Sequence, residues 1–153
     1  MPRICAHLKG LACYHGSNVY NADGVERARL EQLLLHLFGD YLTQTDWMAR
    51  EKTKRWWPAL VHVTVYTAPF MLLTDSLNAL IFIWGSHLLI DRMALARYLI
   101  FFKNWVNQPT LTWKDCAPTG YPNWTPPYMS AWLFIITDNT LHLMCNYFAI
   151  GWL

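Results

Sequence analysis

Three pairs of side chains in this chain set an imidazole and a carboxylate four residues apart: His36 with Asp40, His87 with Asp91, and Asp138 with His142. Positions i and i+4 share one face of a helix, with Cβ atoms about 5–6 Å apart, so each pair aims two polar groups at one spot. All three lie in apolar sequence, where an imidazole or carboxylate is costly to bury without a partner. Six His and ten acidic residues give about 0.8 such spacings by chance, against three found, and that excess makes the pattern a motif to follow. Imidazole with carboxylate is the donor set of Zn, Mn or Fe rather than of Ca or Cu(I). His36, Asp40, His87, Asp91, Asp138 and His142 are therefore candidate ligands for one or two divalent ions. Paired ions about 3.5–4 Å apart activate water and hold both oxygens of a phosphoester displacement. The alternative chemistry is no chemistry: hydrogen-bonded His–Asp pairs that tie helices together.

His62 has no Asp four residues away; Tyr66 stands in that place. It is the candidate general base. Gln44, one turn beyond Asp40 on the same helical face, and Lys52, in a basic stretch suited to an anionic head group, complete the candidate catalytic set. Asn139, beside Asp138, is placed to orient a ligand. Cys5-x-His7 and Cys13-x-His15 match no common zinc spacing.

Helices must carry these residues. Leu30, Leu33, Leu34, Leu37, Phe38, Tyr41 and Leu42 recur at helical spacing, which predicts a helix from Val25 with Asp23 as its N-cap. Gly39 on that helix allows a neighbour to approach closely beside His36 and Asp40. The charged stretch from Asp46 to Arg55 ends in Trp56-Trp57-Pro58, an aromatic boundary followed by a helix start. Ala59–Leu73 and Leu77–Ile90 flank a Thr74-Asp75-Ser76 break; both are apolar runs of about 15 residues, against the ~20 that cross a bilayer. They read as a helical hairpin that tilts or thins the membrane. Arg92–Asn104 continues helically with one apolar and one basic side, as at a membrane surface. Residues 105–127, rich in proline, read as a loop, and Tyr128–Leu153 as the best single span, with Trp132 and Trp152 near its ends. Residues 1–24 have no apolar face and read as a poorly structured extension before a single helical domain, 25–153.

Composition agrees with a membrane setting. Apolar residues make up 54% and charged residues 14% of the chain, against ~25% charged in soluble domains. The mean hydropathy of +0.13 is modest, held down by residues 1–29 and 103–127. A net charge of +2 without a dense Lys/Arg stripe excludes nucleic acid as a partner. Four cysteines in unrelated contexts predict reduced thiols rather than a disulfide framework. The amino terminus lacks the apolar core of a cleavable signal peptide. Basic segments 50–55 and 92–103 flank the hairpin while its tip has no Lys or Arg, so the tip is expected outside and the basic segments in the cytoplasm.

The run His36-Leu37-Phe38-Gly39-Asp40-Tyr41-Leu42-Thr43-Gln44, continued through Thr45-Asp46-Trp47-Met48-Ala49, resembles a family of small phage and bacterial membrane proteins classed as a domain of unknown function. Lys52, His62-x-x-x-Tyr66, Ser86-His87-x-x-x-Asp91 and Asp138-x-x-x-His142 belong to the same resemblance, which covers about Leu30 to Ile150. The chain is also distantly similar to bacterial inner-membrane metal-dependent hydrolases, whose helices carry comparable His and Asp residues. The resemblance implies a membrane location and a metal; it supplies no substrate.

The expectation is therefore an all-α, multi-pass bundle in the inner membrane, with an inward-facing His/Asp cluster. Its expected function is metal-dependent hydrolysis of a phosphoester or lipid head-group bond. The competing expectation is a non-enzymatic, phage-type membrane protein that binds a host partner and keeps the cluster as a structural core. Ion or proton transport through the polar interior is a third.

Overall fold

The computed structural model describes residues 22–153, with side chains from Leu30 onward, and every regular element among them is helical. The reading of residues 1–24, with Cys5, His7, Cys13 and His15, lies outside the described residues except for the last three. Helix α1, Ala22–Leu37, starts ahead of the expected Val25, so Asp23 falls within its first turn rather than capping it. It runs into a π turn, Phe38–Leu42, in which the Thr43 N–H donates to the Phe38 carbonyl at 3.1 Å. A π turn inserts one extra residue per turn and is found mostly at functional sites. Here it carries Gly39 and Asp40, both buried.

The short helix α2, Asp46–Glu51, is capped by Thr45, whose side chain accepts from the Met48 N–H. Helix α3, Trp56–Thr67, tightens into a 3₁₀ turn at Ala68–Leu72, where Pro69 lacks the N–H an α-helix needs. Ser76 caps α4, Leu77–Met93. The expected smooth continuation past Arg92 does not occur. Ala94 sits in the left-handed region (φ 48°, ψ 52°), its N–H donates to the carbonyls of Ile90 and Asp91, and α5, Leu95–Asn107, leaves at 64°. For a residue with a Cβ that conformation costs roughly 1–2 kcal/mol. It ends α4 three residues after Asp91.

The proline-rich stretch is better built than a loop reading implies. It contains one helical turn, α6, Trp113–Cys116, and packs on α5. Trp113 lies flat against Tyr98 (4.9 Å, 5° between planes) and meets Phe101 edge-on at 5.2 Å. Gly120, at φ 81°, presses its backbone against the Arg97 carbonyl and Ile100, leaving no room for a side chain. Burial pushes the Cys116 thiol up, as does the charge of Asp115 beside it, so it stays protonated. Helix α7, Pro127–Trp152, closes the fold.

Helices α1, α3, α4 and α7 pack as a bundle. The end of α7 meets the start of α4, where Ser76 Oγ donates to the Leu153 carbonyl at 2.8 Å, so these two helices are antiparallel. At that end the core is apolar: Tyr66, Phe70, Ala79, Ile83 and Ala149. At the other end Arg92 donates to the Thr53 and Lys54 carbonyls and lies over the Trp56 ring, which joins the two basic segments. Among the described residues no single helix is long and apolar enough to cross a membrane, although α4 and α5 together meet that test as a bent pair. Helices α3 and α4 are short, at 12 and 17 residues. Helix α7 is long but is interrupted by Asp138, Asn139, His142 and Asn146.

Gly39 is where α1 and α3 touch. A Cβ there would lie 2.5 Å from Tyr66 Cδ2, whereas one on Gly85, in α4, would meet nothing within 4 Å. The Tyr66 ring is pinned on both sides and cannot retreat. Gly39→Ala is therefore expected to destabilise the purified protein by about 1–3 kcal/mol, as overpacking does. Gly85→Ala should be neutral or stabilising by up to about 1 kcal/mol, from helix propensity alone. Thermal unfolding of the two variants checks this; equal melting temperatures would show that the contact is not a constraint.

Candidate metal centre

The three i, i+4 pairs come together. His36 Nδ1 lies 3.5 Å from Asp40 Oδ2, His87 Nε2 lies 3.2 Å from Asp91 Oδ2, and His142 Nε2 lies 3.5 Å from Asp138 Oδ2. Contacts between the pairs are equally short. His142 Nε2 is 3.4 Å from Asp91 Oδ1, and His87 Nε2 is 3.4 Å from Asp40 Oδ1. Apart from Asp138, which is about one-fifth exposed, these side chains are buried.

His62 finds its carboxylates in tertiary structure. Its Nε2 lies 3.3 Å from Asp40 Oδ1, 3.1 Å from Asp91 Oδ2 and 3.0 Å from His87 Nε2. Reading it as an unconstrained base thus gives way to a central position between two carboxylates. Lys52 reaches in from beyond α2 and donates to Asp91 Oδ2 at 2.8 Å, with its Nζ 3.5 Å from His62 Nε2. Gln44 makes no hydrogen bond to the cluster, and its Oε1 is buried without a partner among the described residues. Asn139 turns to Tyr41, donating to its hydroxyl at 2.6 Å, rather than to a cluster carboxylate.

His36 stands one layer back. Its Nδ1 is 2.9 Å from the Tyr66 hydroxyl, which accepts from Asn146 Nδ2 at 2.6 Å. The Tyr66 hydroxyl thus joins His36 on α1 to Asn146 on α7. The Tyr66 ring stacks on His87 at 3.6 Å and His87 stacks on His142 at 4.0 Å. Three rings in one column hold the imidazoles in place. The outer nitrogen His87 Nδ1 has no hydrogen-bond partner among the described residues, so for this ring stacking does the orienting that a second hydrogen bond usually does.

Tyr66, Asn146 and Gln32 were not among the site residues read from sequence. Gln32 is buried and donates to the Leu143 carbonyl at 2.9 Å, tying α1 to α7. The signal was present: Gln32-His36-Asp40 and Asp138-His142-Asn146 are the same stripes carried on by a turn.

The donor geometry fits a metal. Three atoms, His62 Nε2, His87 Nε2 and Asp91 Oδ2, lie 3.0, 3.1 and 3.2 Å from one another, and Asp40 Oδ1 lies 3.3 Å from the first and 3.4 Å from the second. Ligands about 2.0–2.1 Å from a tetrahedral zinc lie about 3.3 Å from one another. A proton satisfies one such contact; it cannot lie between all of them. Asp40 Oδ1 forms no hydrogen bond of good geometry despite its short contacts. Three carboxylates, Asp40, Asp91 and Asp138, face the single ammonium of Lys52, and the remaining balance comes from protonated imidazoles or from a bound divalent ion.

If Tyr66 fixes the imidazole column, Tyr66→Phe keeps the ring stack but strands Asn146 Nδ2 and His36 Nδ1. The expected loss is about 1–3 kcal/mol of stability, the range for a buried polar group left unpaired. Thermal unfolding of Tyr66→Phe beside Tyr98→Phe, an exposed tyrosine, measures it; equal small effects would mean the hydroxyl is not a structural link.

Neither the curated proteins nor the solved structures include a match to this chain. A family model does match, over residues 30–149, an interval that holds every cluster residue from His36 to His142. The chain belongs to the family described as protein of unknown function DUF3307.

Proposed function

We propose that this protein is a membrane-embedded, metal-dependent hydrolase acting on phosphoester or lipid head-group bonds. The observation that carries the reading is the set of three donor atoms, His62 Nε2, His87 Nε2 and Asp91 Oδ2, lying 3.0, 3.1 and 3.2 Å from one another. A divalent ion bound there, Zn, Mn or Fe, would polarise a phosphoryl oxygen and lower the pKa of water. The chain's own residues hold and orient. Lys52, at the basic end of the bundle and partly exposed, is placed to bind an anionic oxygen of the substrate. Tyr66 and His36 keep the imidazoles and Asp40 in register.

The membrane part of the reading rests on which way the helices face. The apolar stripe of α1 points outward, with Leu30, Leu34, Tyr41 and Leu42 all exposed, while Gln32, His36 and Asp40 point in. A soluble helix does the reverse. Exposed Ile81, Phe82 and Leu89 on α4 and Ile136, Met144 and Phe148 on α7 extend this surface. Soluble monomers rarely expose contiguous apolar patches of more than a few hundred Å². A bilayer covers them here, with the bent α4–α5 pair as the candidate span and the basic end toward the cytoplasmic head groups.

The salt bridge from Lys52 to Asp91 favours one second reading, a non-enzymatic membrane protein whose cluster is a hydrogen-bonded core. Metal analysis separates the two. Detergent-purified wild type should retain a divalent metal through dialysis and hydrolyse a phosphoester, and His62→Ala should lose both. Wild type free of metal, with His62→Ala unfolding at a clearly lower temperature, would favour the structural core.

A further inference from the structure

The four donors described above leave His142 and Asp138 unused. His142 is almost wholly buried, and its Nε2 forms no hydrogen bond of good geometry. That nitrogen points between two carboxylates, 3.4 Å from Asp91 Oδ1 and 3.5 Å from Asp138 Oδ2. Asp91 Oδ2 already faces His62 and His87. One carboxylate therefore turns a different oxygen toward each of two donor sets, from α3 and α4 on one side and α7 on the other.

We propose a second divalent-cation site, formed by Asp91 Oδ1, Asp138 and His142, that shares Asp91 as a bridging carboxylate with the first. It rests on the metal-centre reading of the first site and extends it. The two sites differ in kind. The first is wholly buried; the second has three donors, one of them the partly exposed Asp138. Three protein ligands leave a coordination position open, the mark of a catalytic rather than a structural site. Charge supports an anionic substrate at that opening. Two divalent ions and Lys52 against Asp40, Asp91 and Asp138 leave a surplus of two positive charges, suited to a phosphoester and unsuited to a neutral ester.

The test uses the full chain in detergent, loaded with Mn²⁺ alone and dialysed. Wild type should hold two equivalents and show an exchange-coupled manganese EPR signal, since a shared carboxylate brings the ions close. Asp138→Asn should fall to one equivalent with an uncoupled signal, at an unchanged melting temperature because the side chain is partly exposed. His142→Gln provides a second route to the same loss. One equivalent in both wild type and Asp138→Asn would overturn this proposal and leave the first site standing, and so would two equivalents without coupling. No bound metal in wild type would overturn both.

Discussion

Asp91 is a carboxylate buried at the last turn of α4, and the polar end of the bundle is arranged to make that burial tolerable. Lys52, His62, His87 and His142 approach it from four separate stretches of chain. An isolated carboxylate would not be tolerated in such a place. The left-handed Ala94, three residues further on, ends α4 and turns the chain into α5. The π turn brings Asp40 against the same imidazoles, and Gly39 beside it gives Tyr66 room to lie flat on His87. These backbone departures concern one cluster. Buried charge is weak evidence for stability, since breaking such a pair is costly while replacing it with apolar residues often is not. A group of this cost, kept in a chain of this size, points to chemistry.

The bundle divides along its length. Toward the hairpin tip it is filled by Phe70, Ala79, Ile83 and Ala149, and toward the basic end by imidazole and carboxylate. Tyr66 joins the halves, with its ring in the apolar core and its hydroxyl held by His36 and Asn146. The openings of the cluster, at Lys52 and Asp138, are its least buried points.

The cluster was legible in the sequence because helical periodicity is local. His36/Asp40, His87/Asp91 and Asp138/His142 each share a face whatever the rest of the fold does. The central role of His62 was hidden, since both of its carboxylates come from other elements. Periodicity shows which residues share a face, but not which face points inward. The Leu30–Leu42 stripe reads as a core stripe in a soluble helix and is exposed here. The π turn and the bend at Ala94 left no local signal. Ala is an ordinary helix former, and nothing in its local sequence announces the left-handed geometry it takes here. The proline-rich stretch was read as a loop from its breakers, and its aromatic packing on α5 could not be seen without the fold.

The central claim is that the two imidazoles of His62 and His87 bind one metal ion. X-ray absorption at the zinc edge, on full-length protein loaded with one equivalent of Zn²⁺, tests it most directly. The account predicts a first shell of nitrogen and oxygen at about 2.0–2.1 Å, with outer-shell scattering from two imidazoles that falls to one in His87→Ala. An oxygen-only shell, with no imidazole scattering in wild type, would contradict it.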